Sequence, residues 1–196
     1  MKNTLSDDLH DNIGASLNHI KMLANQLNQK QFSEEKREGI LFKIKNISNE
    51  LMYNMHDLVW ALRKEHETVG DMIVKFQDYA DNTLSDFNVP YQFEVNEIDE
   101  KRKLSTKEKI NIYAIFKESI NNALKHTESE KVNISFEKDT ERNFRLCVQN
   151  YYKAKRKVKS VSSQNGIPNM KKRAKEIRGR LQTINDIDHF SLIFSW

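Results

Sequence analysis

The sequence predicts an α+β chain in which a helical hairpin precedes a sandwich of helices and strands. Two patterns and one absence lead there. Leu9, Ile13, Leu17, Ile20, Ala24 and Leu27, and then Ile40, Ile44, Ile47, Leu51, Leu58 and Leu62, follow heptad spacing, the a/d seam of a coiled coil or bundle. From Thr68 onward helical and strand periods mix, as in an α+β sandwich. No apolar run approaches the roughly 20 residues that cross a bilayer.

Each element carries its own signals. Ser33-Glu34-Glu35 reads as a cap followed by first-turn acids, which suit a helix N-terminus. It separates the two heptad helices, which a short turn joins into an antiparallel hairpin. One hairpin cannot bury both sides of its apolar stripe, so two copies should pair as a four-helix bundle, and a homodimer is expected. Thr68-Val69-Gly70-Asp71 has capping-box spacing and opens a third helix with Ile73, Phe76, Ala80, Leu84 and Phe87 on one face. Val89 to Val95 alternates like a strand, with Pro90 near its start, where a lost ladder bond is tolerable. Ser105-Thr106-Lys107-Glu108 is a second capping box and starts the helix that carries Glu118 to His126. Strands follow over Val132–Phe136 and Phe144–Val148. The last helix begins near Ile167, with Pro168 in its first turn and Gly179 past its end. Strands at Leu181–Ile184 and Phe190–Phe194 close the chain. The boundary near Glu65 to Gly70 assigns residues 1–66 to the hairpin and 67–196 to the sandwich.

A chain of 196 residues suffices for one large domain or two small ones. With 38% hydrophobic and 31% charged residues it fits a modest core and long exposed helices. The N-terminus is polar and acidic, without a signal-peptide pattern. Cys147 is alone and has no internal disulfide partner; it fits a reducing compartment and reads as a small buried hydrophobe. The net charge of +4 is mild. Its basic run, Lys153 to Lys159, reads as a solvated loop or as an electrostatic partner for phosphate. No nucleic-acid motif accompanies it, and no nucleic-acid partner is expected.

Three stretches carry residue types with chemistry. In Leu9-His10-Asp11-Asn12 a histidine sits on the first heptad stripe. An imidazole with an ordinary pKa of roughly 6.5 is neutral near pH 7 and can act as a nucleophile. Asp11, at the edge of such a site, can accept the ring proton and set the tautomer. In Glu118-Ser119-Ile120-Asn121-Asn122-Ala123-Leu124-Lys125-His126, Glu118 and Asn122 share a helical face while Ile112, Phe116, Ile120 and Ala123 occupy another. Oxygen ligands of this kind suit Mg²⁺, and Lys125 and His126 can reach phosphate oxygens. In Asn165-Gly166-Ile167-Pro168-Asn169-Met170 a glycine turn meets a helix N-terminus, whose free N–H groups bind anions. The preceding basic run would then cover a triphosphate. His19, His56, His66 and His189 lack metal-ligand spacing and read as surface residues.

In this order the three stretches, with Trp60-Ala61-Leu62-Arg63 at the end of the second helix, resemble the cytoplasmic core of a sensor histidine kinase of the nitrate-sensor and desaturase-thermosensor group. The resemblance covers nearly the whole chain. It implies a dimeric four-helix bundle bearing the phospho-acceptor, followed by an ATP-binding domain of the gyrase/Hsp90-like fold. It implies that His10 accepts phosphate, that Asp11 is its acid partner, and that Glu118 and Asn122 hold Mg²⁺-ATP, with Asn121, Lys125, His126, Gly166 and Asn169 around the nucleotide. The activity implied is ATP-dependent autophosphorylation, then transfer to an aspartate of a response-regulator receiver domain. The chain starts nine residues before His10, so a sensor and membrane region is expected upstream, with this core cytoplasmic.

Several positions depart from the group's pattern. Its Asp-x-Gly-x-Gly turn, whose aspartate binds the adenine amino group, is replaced by Val148-Gln149-Asn150-Tyr151-Tyr152-Lys153. Asn150 or Gln149 can stand in, since an amide still bonds a base edge. The late Gly-Thr is replaced by Asn185-Asp186-Ile187-Asp188-His189-Phe190. Ala15 stands where relatives place a water-orienting glutamine. Lys64 stands where they often have proline, so the second helix is expected to run on toward Gly70. The alternative these departures leave open is a degenerate, non-catalytic dimeric scaffold or phospho-acceptor module.

Overall fold

The computed structural model describes residues 4–27, 32–63, 65, 67–125, 129–139, 144–152, 166–186 and 188–196; at 4–12, 129–130 and 152 only the backbone is described. The chain divides into two compact units, Met1–Arg63 and Lys64–Trp196.

The first unit holds α1 (Thr4–Leu27) and α2 (Glu34–Leu62), which pack against each other. Ser33 caps α2, its hydroxyl accepting from the Lys36 amide at 3.4 Å. Leu23 and Ile40 are buried at the contact, and Ile44, Ile47, Leu51 and Leu58 are half-buried. Leu41, Met52, Met55 and Val59 form a second apolar stripe on α2, rotated by about 90° from the first, and this one is exposed. Seam positions Leu17, Ala24 and Leu62 are exposed too. The second helix does not run toward Gly70. Arg63 turns extended, at φ −68° and ψ 131°, and its amide bonds back to the Trp60 carbonyl.

In the second unit, α3 (Val69–Asp86), α4 (Thr106–Lys125) and α5 (Gly166–Glu176) accompany one five-stranded sheet. The strands are β1 (Tyr91–Asn96), β2 (Ser129–Glu137), β3 (Arg145–Tyr152), β4 (Arg180–Asn185) and β5 (His189–Ser195). Their order is β1-β2-β3-β5-β4, with β1 parallel to β2 and every other pairing antiparallel. Thr68 and Asp71 close a full capping box at the start of α3. Ser105 and Glu108 do the same before α4, at 2.8 and 3.2 Å. Each box satisfies amide donors that a helix start leaves open.

α4 packs on β2 and β3, with α3 and α5 as its helical neighbours. Its Ile112, Ile115, Phe116 and Ile120 are buried, and Phe76 of α3 stacks on Phe116 at 4.1 Å. Phe136, Phe144, Phe194 and Trp196 continue this aromatic core across the sheet. Phe87 leaves the expected α3 face. The helix ends at Asp86, Asn88 takes a left-handed φ of 54°, and Phe87 is 65% exposed. β3 runs further than the sequence suggests, pairing through Tyr151 with β2 and β5. No described helix is long and apolar enough to cross a membrane.

Candidate functional site

Glu118 and Asn122 meet the first residue of α5. One helical turn separates them on α4, so their side chains leave the same face. A Cβ placed on Gly166 would lie 2.6 Å from Glu118 Oε1 and 3.6 Å from Asn122 Nδ2. A side chain there would displace the Glu118 carboxylate. The glycine is therefore not the hinge of a turn: Gly166 is already helical, and no described glycine has a positive φ. Its role is close approach.

Asn122 is 9% exposed, and its Oδ1 is buried without a hydrogen-bond partner among the described residues. An unmet buried acceptor costs roughly 1–3 kcal/mol. Beside it stand a carboxylate oxygen and a helix N-terminus, whose open amides favour an anion. Hard oxygen donors next to an anion site suit Mg²⁺ bridging to phosphate, because that ion keeps few protein ligands and takes the rest from water and phosphate. Glu118 and Asn122 are the residues that would hold it.

The surroundings are firmly tied. Tyr79 of α3 donates to Asn121 Oδ1 at 3.2 Å, which engages Asn121 with α3. Ser119 donates to the Ile115 carbonyl at 2.7 Å and contacts Met170 Sδ at 3.9 Å. Arg173 donates to Asn111 Oδ1 at 3.4 Å. Lys109, near the start of α4, is buried, and burial lowers its ammonium pKa while Glu67 and Asp71 oppose that shift.

The other expected site residues fall as follows. Lys125 ends α4, exposed. Asn169 is exposed on α5. His10 and Asp11 lie within α1, but their side chains are outside the described residues, as are His126, Asn165 and the basic run Lys153 to Lys159. Asn150 is 3% exposed on β3, in register with Val132 and Phe190. Gln149 points to the opposite face, where its amide donates to Ser191 Oγ at 3.0 Å. Of the two amides, Asn150 is the one on the face shared with buried Leu146 and Val148.

Cys147 is half-buried rather than fully buried, on the same face as Gln149. Burial pushes its thiol from 9.0 up to about 11. His189 has a setting that its sequence spacing did not suggest. The β4–β5 turn brings ligand atoms of Asp186, Asp188 and His189 within 4.8 Å of one another, with His189 Nδ1 2.8 Å from Asp188 Oδ1. The Asp-x-Asp-His spacing was the available signal. Both carboxylates are exposed.

No protein-family profile matches the chain, and no curated protein matches its sequence. Solved structures match its fold. The blue-light activated histidine kinase EL346 of Erythrobacter litoralis aligns with a TM-score of 0.61 at 11% identity, over 100% of this chain and 60% of that one. Full-length ShkA, solved in complex with AMPPNP, aligns at 0.55 and 12%, over 98% of this chain and 45% of that one. The histidine kinase AdeS of Acinetobacter baumannii aligns at 0.53 and 14%, over 96% of both chains. At such identities the likeness is one of fold: the chain has the fold of histidine kinase cores.

Proposed function

We propose that this chain is the catalytic core of a protein-histidine kinase. Residues 67–196 bind Mg²⁺-ATP and residues 1–66 carry the phospho-acceptor His10. The observation that carries the reading is Asn122, whose buried Oδ1 has no partner among the described residues and whose Nδ2, with Glu118 Oε1, meets Gly166 at the start of α5. A structure keeps such a group open where a ligand completes it.

The chemistry is phosphoryl transfer. A ring nitrogen of His10 forms a bond to the γ-phosphorus as the bond to the β,γ-bridging oxygen breaks, and ADP leaves with that electron pair. Asp11 accepts a hydrogen bond from the N–H of the other ring nitrogen, which fixes the tautomer and stabilises the positive charge the ring acquires as the N–P bond forms. Bound Mg²⁺ supplies charge neutralisation on the phosphates. The α5 N-terminus and Glu118–Asn122 orient the triphosphate, so catalysis is mainly positioning. The phosphoryl group then passes to an aspartate of a receiver domain. The uncovered stripe of Leu41, Met52, Met55 and Val59 supports pairing of two copies into a four-helix bundle. A cytoplasmic location accords with this role.

One observation favours a second reading, a non-catalytic dimeric module. β3 stays a regular ladder through Asn150 and Tyr151, so no carboxylate and no glycine turn stands there to recognise a base. Incubation with γ-labelled ATP and Mg²⁺ separates the two. The kinase reading expects label on the parent, none on His10→Gln, and little on Asn122→Ala. No label on the parent, together with no nucleotide binding at millimolar ATP, establishes the module instead.

A further inference from the structure

α5 touches α4 at three levels. Gly166 abuts Glu118 and Asn122, Met170 meets Ser119, and Arg173 reaches Asn111. From Gly166 to Arg173 the helix advances about 10 Å, while its partners descend α4 from Asn122 to Asn111. The two helices therefore run in opposite directions, and the α5 start lies over the later half of α4.

The three contacts differ in kind. Gly166 against Glu118 is a limit of approach. It stops α5 from coming closer and does nothing to hold it. Methionine is flexible and its sulfur a weak acceptor, so Met170 tolerates sliding. Arg173 to Asn111 is directional. Asn111 is 3% exposed, and its own Nδ2 donates to the Lys107 carbonyl at 3.1 Å, which fixes the amide with Oδ1 toward α5. A charged donor on a fixed, buried acceptor sets a position along the axis.

We propose that Asn111 and Arg173 are positioning residues. Their bond sets how far α5 lies along α4, and so holds Gly166 and the α5 N-terminus against Glu118 and Asn122. The functional half of this rests on the reading of that junction as a phosphate site. The positional half stands without it.

The test uses the full chain and two readouts. Hydrogen exchange of the amides of Asn169, Met170 and Lys171 is compared in the parent, Arg173→Leu, Arg173→Lys and Lys172→Ala. Mg²⁺-ATP affinity is titrated in the same proteins. Arg173→Leu leaves a buried acceptor unmet, so exchange should quicken about tenfold and affinity weaken about tenfold. Arg173→Lys keeps a donor and should fall between parent and Arg173→Leu. Lys172→Ala removes the same charge from an exposed neighbour and should match the parent. Asn111→Asp keeps an acceptor for Arg173 but loses the donor to the Lys107 carbonyl, so its exchange should fall between the parent and Arg173→Leu. Unchanged exchange in Arg173→Leu, or equal effects of Arg173→Leu and Lys172→Ala, overturns the positioning role. Faster exchange in a chain whose parent binds no ATP leaves the positioning role standing and removes the kinase reading.

Discussion

Gly166→Ala separates a site role from a stability role by arithmetic available in the structure. The added Cβ would sit 2.6 Å from Glu118 Oε1, where ordinary contact begins at 3.4 Å. The carboxylate must retreat by about 0.8 Å, and it can, because Oε1 is the far end of a flexible side chain. The rotamer change costs on the order of 0.5–1.5 kcal/mol. Alanine is a better helix residue than glycine by up to about 1 kcal/mol. The two effects nearly cancel, and a residual of under about 1 kcal/mol moves the melting temperature by no more than a few degrees. The site fares worse. Disturbing the groups that hold or support a bound metal costs about ten- to hundredfold in affinity, so Mg²⁺-ATP affinity should fall by about that much. The assay pairs a thermal melt with calorimetric titration of Mg²⁺-ATP. Undiminished affinity refutes the placement of nucleotide at Glu118 and Asn122. A melting temperature lower by more than about 10 °C refutes the claim that only a side-chain end is displaced.

Three further predictions follow from particular residues. Asn122→Leu removes the unmet buried acceptor, so the chain should gain about 1 kcal/mol in stability while losing nucleotide binding; a less stable variant in chemical denaturation contradicts the account of Asn122. Met55→Glu with Val59→Glu puts charges on the uncovered α2 stripe, and light scattering should show a monomer where the parent is a dimer; a parent that is monomeric at tens of micromolar refutes the bundle. The Cys147 thiol, raised from 9.0 to about 11, should label at pH 8 about a hundredfold more slowly in the folded chain than in urea. Because the folded value is the higher one, its contribution to stability is full below pH 9 and is lost as pH rises toward 11; equal labelling rates contradict the burial.

The sequence disclosed what is local. Thr68 with Asp71 and Ser105 with Glu108 predict helix starts because a capping box is closed within four residues, and both boxes form. Ile73, Phe76, Ala80 and Leu84 predict a buried face because the helical period is a local property, and all four are buried. Phe87 fits the same period but lies past the helix end, where period no longer governs direction. Long-range pairing was hidden. Asn150 and Tyr151 lack strand alternation, and they are held in β3 by Phe190 and His189 of a strand roughly forty residues away. The β4–β5 turn gathers Asp186, Asp188 and His189 in the same way. Gly166 was legible as special, but its reason was not. A glycine before Ile-Pro reads as a turn, whereas its actual constraint is a carboxylate on another helix.

Four buried polar atoms lack partners among the described residues: Arg102 Nη1, Asn122 Oδ1, Asn133 Oδ1 and Trp196 Nε1. Their settings differ. Arg102 lies over the Phe144 ring at 4.7 Å and Trp196 packs 5.6 Å from it, so both donors sit in aromatic surroundings. Asn133 belongs to β2, in register with Gln149. Arg102 is otherwise engaged, its Nη2 donating to Glu108 Oε1 at 3.3 Å, whereas Asn122 meets Gly166 at the start of α5 beside Glu118. Around it nearby polar groups are met: Ser119 by Ile115, Asn111 by Lys107 and Arg173, Asn121 by Tyr79. A fold that satisfies those neighbours and leaves one acceptor open, within reach of an anion-favouring helix end, breaks its local rule where function is expected to break it. That contrast, more than any single contact, supports our proposal that the site lies at the junction of α4 and α5.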